Sequence, residues 1–587
     1  MKRLATLLLT LCISGCGGGG VTITAAAEGN QTTLFAGLSI KISAELRHTG
    51  GNPAVTWSLS GCASNCGSLS STTENPVTYT APQMVSASFN VTVVATAVAD
   101  SSKRAPVTLT IQPLTCSSGN EAALMGQYAF VFQGGSSNFG TYGLAGSFTA
   151  DGTGSIGTGV ADISPTPMPT LTLTIQANGS SYTLGPDNRG CLTLATLDSA
   201  IRIRRFRFAV GGFNAGIATK GRIIEFDDAS GSGTRGEGIL RKQDPTSFTT
   251  NSIQGNYVFG SVGTDPSAGR TADLGVLSAM NGSIPSGQLD VNRAGTLLTP
   301  VNIVGGFISI LADGRGTITF STSPGCGICG GTDGFGAIVY VVSSQEMVFL
   351  STPGTFPVLT GQIFKQALNN FDNTALNATS VVQFSGFGAR SLGPDASVGV
   401  AIPNGSGAIT VVLDTNSAGT FTPLLSASGT YVVSPNGRVT TAGLGNGSAI
   451  LYLIDSNRGL VLGTGQSVAF GSFEPQVGAP FTDASLAGPF FFGMEGAQPI
   501  TRVIGVGSIN FDGRALYSGT EDDSTPTGLS PNQSFTGVPY SFFPNAAQPG
   551  RGTLDNNGNT TGYIVSATKL VYINTMAARP RVVVVEK

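Results

Sequence analysis

Histidine is almost missing from this chain: His48 is the only one among 587 residues. A Ser-His-Asp or Cys-His hydrolase needs an imidazole base held by a second group, so at most one such centre could exist. Zinc sites built on several histidines are excluded by the same count. Charge is scarce too. Asp, Glu, Lys and Arg make up 11% of the chain, against a usual ~25%. Their formal sum is −3, so no global field draws nucleic acid or an anionic membrane. Past the N-terminus there is no apolar run of about 18 residues, the length that marks a membrane-crossing helix.

Glycine is what the chain has in excess, at 83 residues, about twice its usual share. Hydrophobic residues reach 40%, and with so little charge this composition argues against a disordered chain. Short runs of Val, Ile, Thr, Phe and Tyr are broken by Gly, Asn and Asp, which favours β-structure nearly throughout. At about 150 residues per domain, the length suggests four or five domains.

The N-terminus reads as an export signal over residues 1–15. Lys2 and Arg3 precede an apolar run from Leu4 to Ile13 that is too short to span a bilayer. Ile13-Ser14-Gly15-Cys16 resembles the bacterial lipobox. That resemblance implies cleavage before Cys16, acylation of Cys16 and attachment to a membrane, with Gly17 after the cysteine similar to lipoproteins of the outer membrane. Residues 16–20 would then be the lipidated cysteine and a flexible glycine tether.

With Cys12 and Cys16 set aside, six cysteines remain: Cys62, Cys66, Cys116, Cys191, Cys326 and Cys329. An even number in an oxidising compartment predicts disulfides. Cys62–Cys66 and Cys326–Cys329 could close small loops, and Cys116–Cys191 could tie a linker to the segment beyond it. Other pairings stay open, since six cysteines allow 15 connectivities.

Residues 21–113 hold six candidate strands: 21–25, 39–46, 54–59, 77–79, 89–97 and 107–111. Turn-rich segments separate them at sandwich spacing. Val55-Thr56-Trp57-Ser58, Cys66-Gly67-Ser68-Leu69, Tyr79-Thr80-Ala81-Pro82 and Val91-Thr92-Val93 resemble bacterial immunoglobulin-like domains. The likeness implies a β-sandwich with Trp57, the sole tryptophan, between its sheets, and a spacer or adhesive role.

From residue 122 the chain repeats itself. Leu124-Met125-Gly126-Gln127-Tyr128-Ala129-Phe130 matches Ile253-Gln254-Gly255-Asn256-Tyr257-Val258-Phe259 and Leu486-Ala487-Gly488-Pro489-Phe490-Phe491-Phe492. A degraded copy begins at Leu376, where Asn377-Ala378-Thr379-Ser380-Val381 lacks the glycine and the tyrosine. These starts mark out four units: 122–246, 251–368, 374–476 and 483–587. Each has a later turn, at Asp187-Asn188-Arg189-Gly190, Asp313-Gly314-Arg315-Gly316, Asn436-Gly437-Arg438 and Asn557-Gly558-Asn559. The first two units close on Lys242-Gln243 and Lys365-Gln366. Each has room for roughly eight strands at ~10–12 residues per strand and turn, enough for a small antiparallel barrel. The fold expected is therefore all-β, an immunoglobulin-like sandwich followed by four tandem antiparallel barrels or meanders. The Gly-x-Tyr starts are similar to the Gly-x-Trp of lipocalin-like barrels. The units also resemble Gly-rich repeats that follow immunoglobulin-like domains in other exported bacterial proteins, a likeness that implies no activity.

Candidate chemistry is thin. Gly152-Gly154-Gly157 and Gly325-Gly327-Gly330 fit a dinucleotide pattern, but strands and not helices follow them. Cys326-Gly327-Ile328-Cys329 lacks the helix start of a redox motif and suits a hairpin tip. Asp151-Gly152, Asp512-Gly513 and their like lack the ligand series of a calcium loop and read as type I′ hairpins. Asp227-Asp228 and Asp522-Asp523 could suggest a glycosidase, yet neighbours on a strand face opposite ways. Arg202, Arg204, Arg205 and Arg207 alternate with Ile201, Ile203, Phe206 and Phe208, with Arg204-Arg205 breaking phase as a bulge would. They could form a polyanion patch or a charged edge that blocks aggregation.

No metal or cofactor is expected. The reading is a non-enzymatic cell-envelope lipoprotein, displayed for adhesion, spacing or contact with a protein or glycan. The alternatives are a set of small-ligand barrels and, behind it, a carbohydrate-active enzyme. Nothing in the sequence bears on oligomeric state.

Overall fold

In a computed structural model of the chain, the short apolar runs become strands. The structure describes residues 20–587 except 63–64, 83–84, 137–139, 166–168, 199–202, 228–233, 266–268, 324–333, 353–357, 388–392, 446–447, 498–500 and 546. Two compact units divide between Leu114 and Thr115. Among the described residues no helix is long and apolar enough to cross a membrane.

The first unit holds two four-stranded sheets. One contains Thr22–Ala27, Ser39–Arg47, Val77–Thr80 and Ser68–Leu69, the other Thr33–Phe35, Arg104–Gln112, Phe89–Ala97 and Val55–Ser60. Alternation decides the faces: Ile40, Ile42, Val77 and Tyr79 of one sheet and Trp57, Val91, Val93 and Leu109 of the other are buried. The Trp57 indole N–H donates to the Glu74 carbonyl at 2.8 Å, which satisfies its one polar atom. Thr33–Phe35 and Ser68–Leu69 are strands too short for the sequence pattern to show.

The second unit is built of the four repeats. Strands within 125–242, 255–365 and 380–475 form three closed eight-stranded barrels, each strand pairing with the next and the eighth with the first. The fourth repeat, 487–586, is a nine-stranded sheet whose edges are Gly528–Pro539 and Ser541–Phe542. Only Tyr540 separates these two segments, so together they stand in the place of one fourth strand, and the repeat is an eight-position barrel left open at that break.

The barrel interiors are filled. Phe130, Phe132, Phe148, Leu192 and Phe208 pack inside the first, and Phe259, Phe320, Phe335 and Phe349 inside the second. Val382, Val439 and Phe473 fill the third, while Phe490, Phe492, Phe511 and Phe542 fill the fourth. A short 3-10 turn plugs one end of each barrel, as at Glu121–Ala123 and Asn373–Ala375. The Tyr182, Tyr431 and Tyr540 hydroxyls donate to the plug carbonyls, for instance Tyr182 to Leu124 and Tyr431 to Leu376, both at 2.8 Å.

Each barrel also grips its neighbour. The fifth strand opens with an arginine that reaches a buried aspartate on the third strand of the preceding barrel. Arg315 meets Asp162, Arg438 meets Asp290 and Arg551 meets Asp414, each with Nε to Oδ2 at 2.8 Å and a second N–H to Oδ1 at 2.8–2.9 Å. The hydroxyls of Tyr340, Tyr452 and Tyr563, cross-strand partners of those arginines, donate to the same carboxylates. Apolar residues surround each latch. Ala129 and Val131 face Ile338 and Val348, Val258 and Leu274 face Ile450 and Leu462, and Val398 and Val400 face Val571 and Val584. The last barrel then meets the first through Arg189 and Asp522, 2.6 Å apart, so the four repeats close into a ring. They are therefore one compact unit and not a string of separate domains.

The arginine turn is not type I′. Leu311 C=O accepts from Gly314 N–H at 3.0 Å, and within 311–315 only Gly314 has positive φ, +83°. Asn188 and Gly437 take the same left-handed position at +62° and +83°. This is a type I turn followed by one left-handed residue. In the fourth repeat its counterpart is Pro549-Gly550-Arg551, whereas Asn557-Gly558-Asn559 precedes the sixth strand, Thr560–Ser566. The repeat-ending glutamines bind forward: Gln243 Nε2 donates to Val341 O at 2.5 Å, and Gln366 to Leu453 O at 2.7 Å. Gln476, after Glu474-Pro475, does the same to Ile564 O at 2.7 Å.

Asp290→Asn removes the charge that Arg438 and Tyr452 share in a buried site. It should destabilise the second unit by roughly 3–5 kcal/mol, seen as a lower denaturation midpoint. Thr317→Ala, on an exposed position, should move it by less than about 0.5 kcal/mol.

Candidate functional site

At the centre of the ring lies an open cavity of about 730 Å³ lined by all four barrels. Outward-facing residues of the first, seventh and eighth strands of each barrel reach it, and strand register sorts them into three tiers. The first tier is a charged collar at the plugged ends. Lys220 pairs across the sheet with Arg241 in the first barrel, Glu346 with Phe364 in the second, and Lys569 with Glu586 in the fourth. In the third barrel Arg458 and Glu474 flank the pair Gly459 and Phe473. The middle tier is neutral: Val131 with Ile239, Gly260 with Gln362, Gln383 with Ser472, and Gly493 with Val584. The third tier pairs Gln133 with Glu237, Val262 with Thr360, and Glu495 with Val582, and Ser385 lies across from Phe470.

Ion pairs cross from barrel to barrel within these tiers. Arg241 meets Glu346 at 3.2 Å, Lys220 meets Glu586 at 3.1 Å, and Lys569 bridges Glu474 and Glu586. Arg222 binds Glu495 and Glu586, and Arg502 binds Glu237. Burial works to raise the Glu586 carboxyl, but Lys569, Arg222 and Lys220 outweigh it and hold it well below the usual carboxylate range. Arg270, 7% exposed, donates to Ser385 O at 2.9 Å, and burial lowers it to about 10. The Arg458 side chain is exposed and, among the described residues, makes no hydrogen bond or ion pair.

A second set of polar groups lies inside the barrels, at the ends opposite the plugs. Glu225 binds Arg204 at 2.5 Å and accepts from Tyr142 in the first barrel. Asp273 accepts from Ser261 at 2.5 Å in the second, and Asp395 from Ser467 at 2.5 Å in the third. Asp523 and Glu521 share the inner face of the fourth with Tyr517. Burial pushes the Asp273 carboxyl up to about 7 and raises Asp395 and Asp523 as well.

The arginines expected to form a polyanion patch are not together. The strand Ile203–Gly211 runs in register without a bulge, so Arg204 and Arg207 point to opposite faces. Arg204 enters the barrel and stacks 5.2 Å over the Tyr142 ring. Arg207, 2% exposed, lies between the first and fourth barrels, 3.7 Å from Asp522 and 3.2 Å from Thr115 O. Arg205 is partly buried near Asp227, and Arg202 lies outside the described residues. The alternation was misleading because an interior glutamate, Glu225, makes room for an arginine among phenylalanines.

Cys62–Cys66 and Cys116–Cys191 are disulfides, the latter joining the segment before the first barrel to its fifth strand. Cys16, Cys326 and Cys329 lie outside the described residues, as does Asp228. His48 stands on an exposed turn of the first unit. Asp522 and Asp523 do face opposite ways, one to the ring interface and one into the barrel. Among the described residues no group of three or more His, Cys, Asp or Glu could hold a metal ion. The cavity was not visible in the sequence, because its lining comes from sixteen strands spread over about 450 residues.

No family model and no curated protein matches this chain. Among solved structures, a protein of unknown function from the DUF3598 family of Nostoc punctiforme is 11% identical, with a TM-score of 0.12, covering 42% of this chain and 97% of its own. Intact Ap-TbpB, with N and C lobes, is 10% identical with a TM-score of 0.16, covering 64% and 85%. A variant of Transferrin Binding Protein B from Haemophilus parasuis is 8% identical with a TM-score of 0.13, covering 100% and 99%. Likenesses this slight carry no argument about the present chain.

Asp273 supplies a pH test. Its folded pKa lies above the unfolded value of about 3.9, so its contribution to stability is complete below about pH 4 and is lost as pH rises toward 7. Asp273→Asn should therefore flatten the fall in melting temperature between pH 4 and 7 and exceed the native protein in stability at pH 8, by up to roughly 4 kcal/mol. A native protein whose stability rises over that interval, with no change in slope in the variant, would contradict the buried neutral carboxyl.

Proposed function

We propose that this chain is an exported lipoprotein, anchored by acylated Cys16 in the outer membrane, that serves without catalysis as a spacer and interaction module at the cell surface. The observation that carries this reading is the closed ring. Four latched repeats give one compact body, as a platform for a protein or glycan partner needs. The export pattern at residues 1–16, the glycine tether and an immunoglobulin-like reading of the first unit support display away from a membrane.

Small-ligand transport inside the barrels is the weaker reading. Phe130, Phe259, Phe473 and Phe511 occupy the space that a lipocalin-like cargo would need. A Ser-His-Asp type acyl hydrolase has little support, because the chain's one histidine stands on a turn of the first unit, and a glycosidase has little from Asp522 and Asp523, which face opposite ways.

Protease shaving of intact cells tests display. The native protein should be trimmed from outside, and a Cys16→Ala variant should leave the membrane fraction for the medium. Survival of the native protein until the envelope is opened would place it in the periplasm and contradict surface display. A variant that stays with the membrane would contradict anchoring through Cys16.

A further inference from the structure

We propose that the central cavity of the ring is a binding site for a small acidic sugar, a hexose or disaccharide bearing a carboxylate or phosphate. This goes beyond the spacer role and does not depend on anchoring or display. Size is the first argument: about 730 Å³ lies within the ~300–1,000 Å³ typical of small-molecule sites. Glycine in its wall lets neighbouring side chains close in. A Cβ at Gly260 would come within 2.7–2.8 Å of Phe470 and Leu460, and one at Gly493 within 2.6 Å of the Arg222 side chain.

Charge decides the sign of the ligand. Every glutamate of the lining is already engaged: Glu346 by Arg241, Glu474 and Glu586 by Lys569, Glu495 by Arg222, and Glu237 by Arg502. A cation entering the cavity would find no carboxylate to itself. Two guanidiniums have no carboxylate within ion-pair distance among the described residues, Arg458 in the collar and Arg270 near the other end. Arg458 is exposed, so its five N–H groups can turn to a carboxylate or phosphate at the mouth.

The neutral middle tier decides the body of the ligand. Gln362 Nε2 donates to Glu346 at 3.0 Å and Gln383 Nε2 to the Ser472 hydroxyl at 3.2 Å, which leaves both side-chain carbonyls and one N–H of each amide to meet hydroxyl groups. Val131, Ile239 and Val584 of the same tier are buried in the contacts between barrels, so the amides are what this tier presents. An apolar acid would leave those amides unpaired, and a neutral sugar would leave Arg458 unused.

Titration calorimetry on the purified full chain, with glucuronate, glucose 6-phosphate and glucose as probes, tests this. At least one acidic sugar should bind, and glucose should bind about tenfold more weakly or not at all. Whichever acid binds more tightly distinguishes a carboxylate source from a phosphate source. Arg458→Gln should weaken the acidic sugar about tenfold while leaving the melting temperature unchanged, since this side chain bonds to none of the described residues. Gln383→Ala should weaken glucose and the acidic sugars alike. The assignment is overturned if neither acid binds at about 10 mM, if glucose binds as tightly, or if Arg458→Gln leaves affinity unchanged.

Discussion

The second unit depends on one interaction made four times: a carboxylate with almost no solvent contact, held by an arginine from the next repeat. Asp162, Asp290 and Asp414 are 0% exposed and Asp522 is 1% exposed, counting their side chains. An ionised carboxylate so placed would cost several kcal/mol if it stood alone. Among the described residues no cation of its own barrel pairs with it, so each barrel is incomplete until its neighbour arrives. The bidentate guanidinium fixes distance and direction together, and this makes the latch a device for register as well as for charge.

Closure changes the character of the fourth interface. The other three place a tyrosine across from the latch arginine, whereas Arg189 has Ala209 as its partner. Arg207 stands beside Asp522 instead, Asn532 accepts from Arg189 at 3.2 Å, and Arg235 reaches Ser524 at 3.0 Å. With Arg222 and Arg502 nearby, the closing interface is rich in arginine where the others are lined by valine, leucine and isoleucine. The repeat that forms it is also the one whose sheet stays open beside Tyr540, so contacts to the first and third barrels hold a shape that its own hydrogen bonds do not close. The cavity follows from the same geometry: neighbouring barrels meet around a common axis and leave their first, seventh and eighth strands facing it.

Much of this architecture was legible in the sequence. Period-2 alternation and turn residues located the strands of both units, and the Gly-x-Tyr starts marked the repeats because Tyr128 and Tyr257 are buried core residues. The Asp-Asn-Arg-Gly and Asp-Gly-Arg-Gly turns were visible, but only their turn chemistry was. Arg315 acts on an aspartate 153 residues back, Asp162, and Arg189 on one 333 residues ahead, Asp522, and no local pattern encodes such partners. The third repeat lost its signature because Ser380 replaces the tyrosine and hydrogen-bonds the Asn457 carbonyl at 3.1 Å. The fourth hid its latch at Arg551, since a broken strand moved the more conspicuous Asn-Gly turn to another place. Arg204 and Arg207 looked alike in sequence and differ by which face of a strand they occupy.

The ring itself is tested most directly at the contact that closes it, between residues 333 positions apart. A double-mutant cycle with Arg189→Gln and Asp522→Asn, read by denaturant unfolding, isolates their coupling. A closed ring predicts a coupling energy of roughly 1.5–3 kcal/mol, as for close charge pairs shielded from water. Additivity to within about 0.5 kcal/mol would mean that the first and fourth barrels do not meet, and it would contradict both the ring and the cavity inside it.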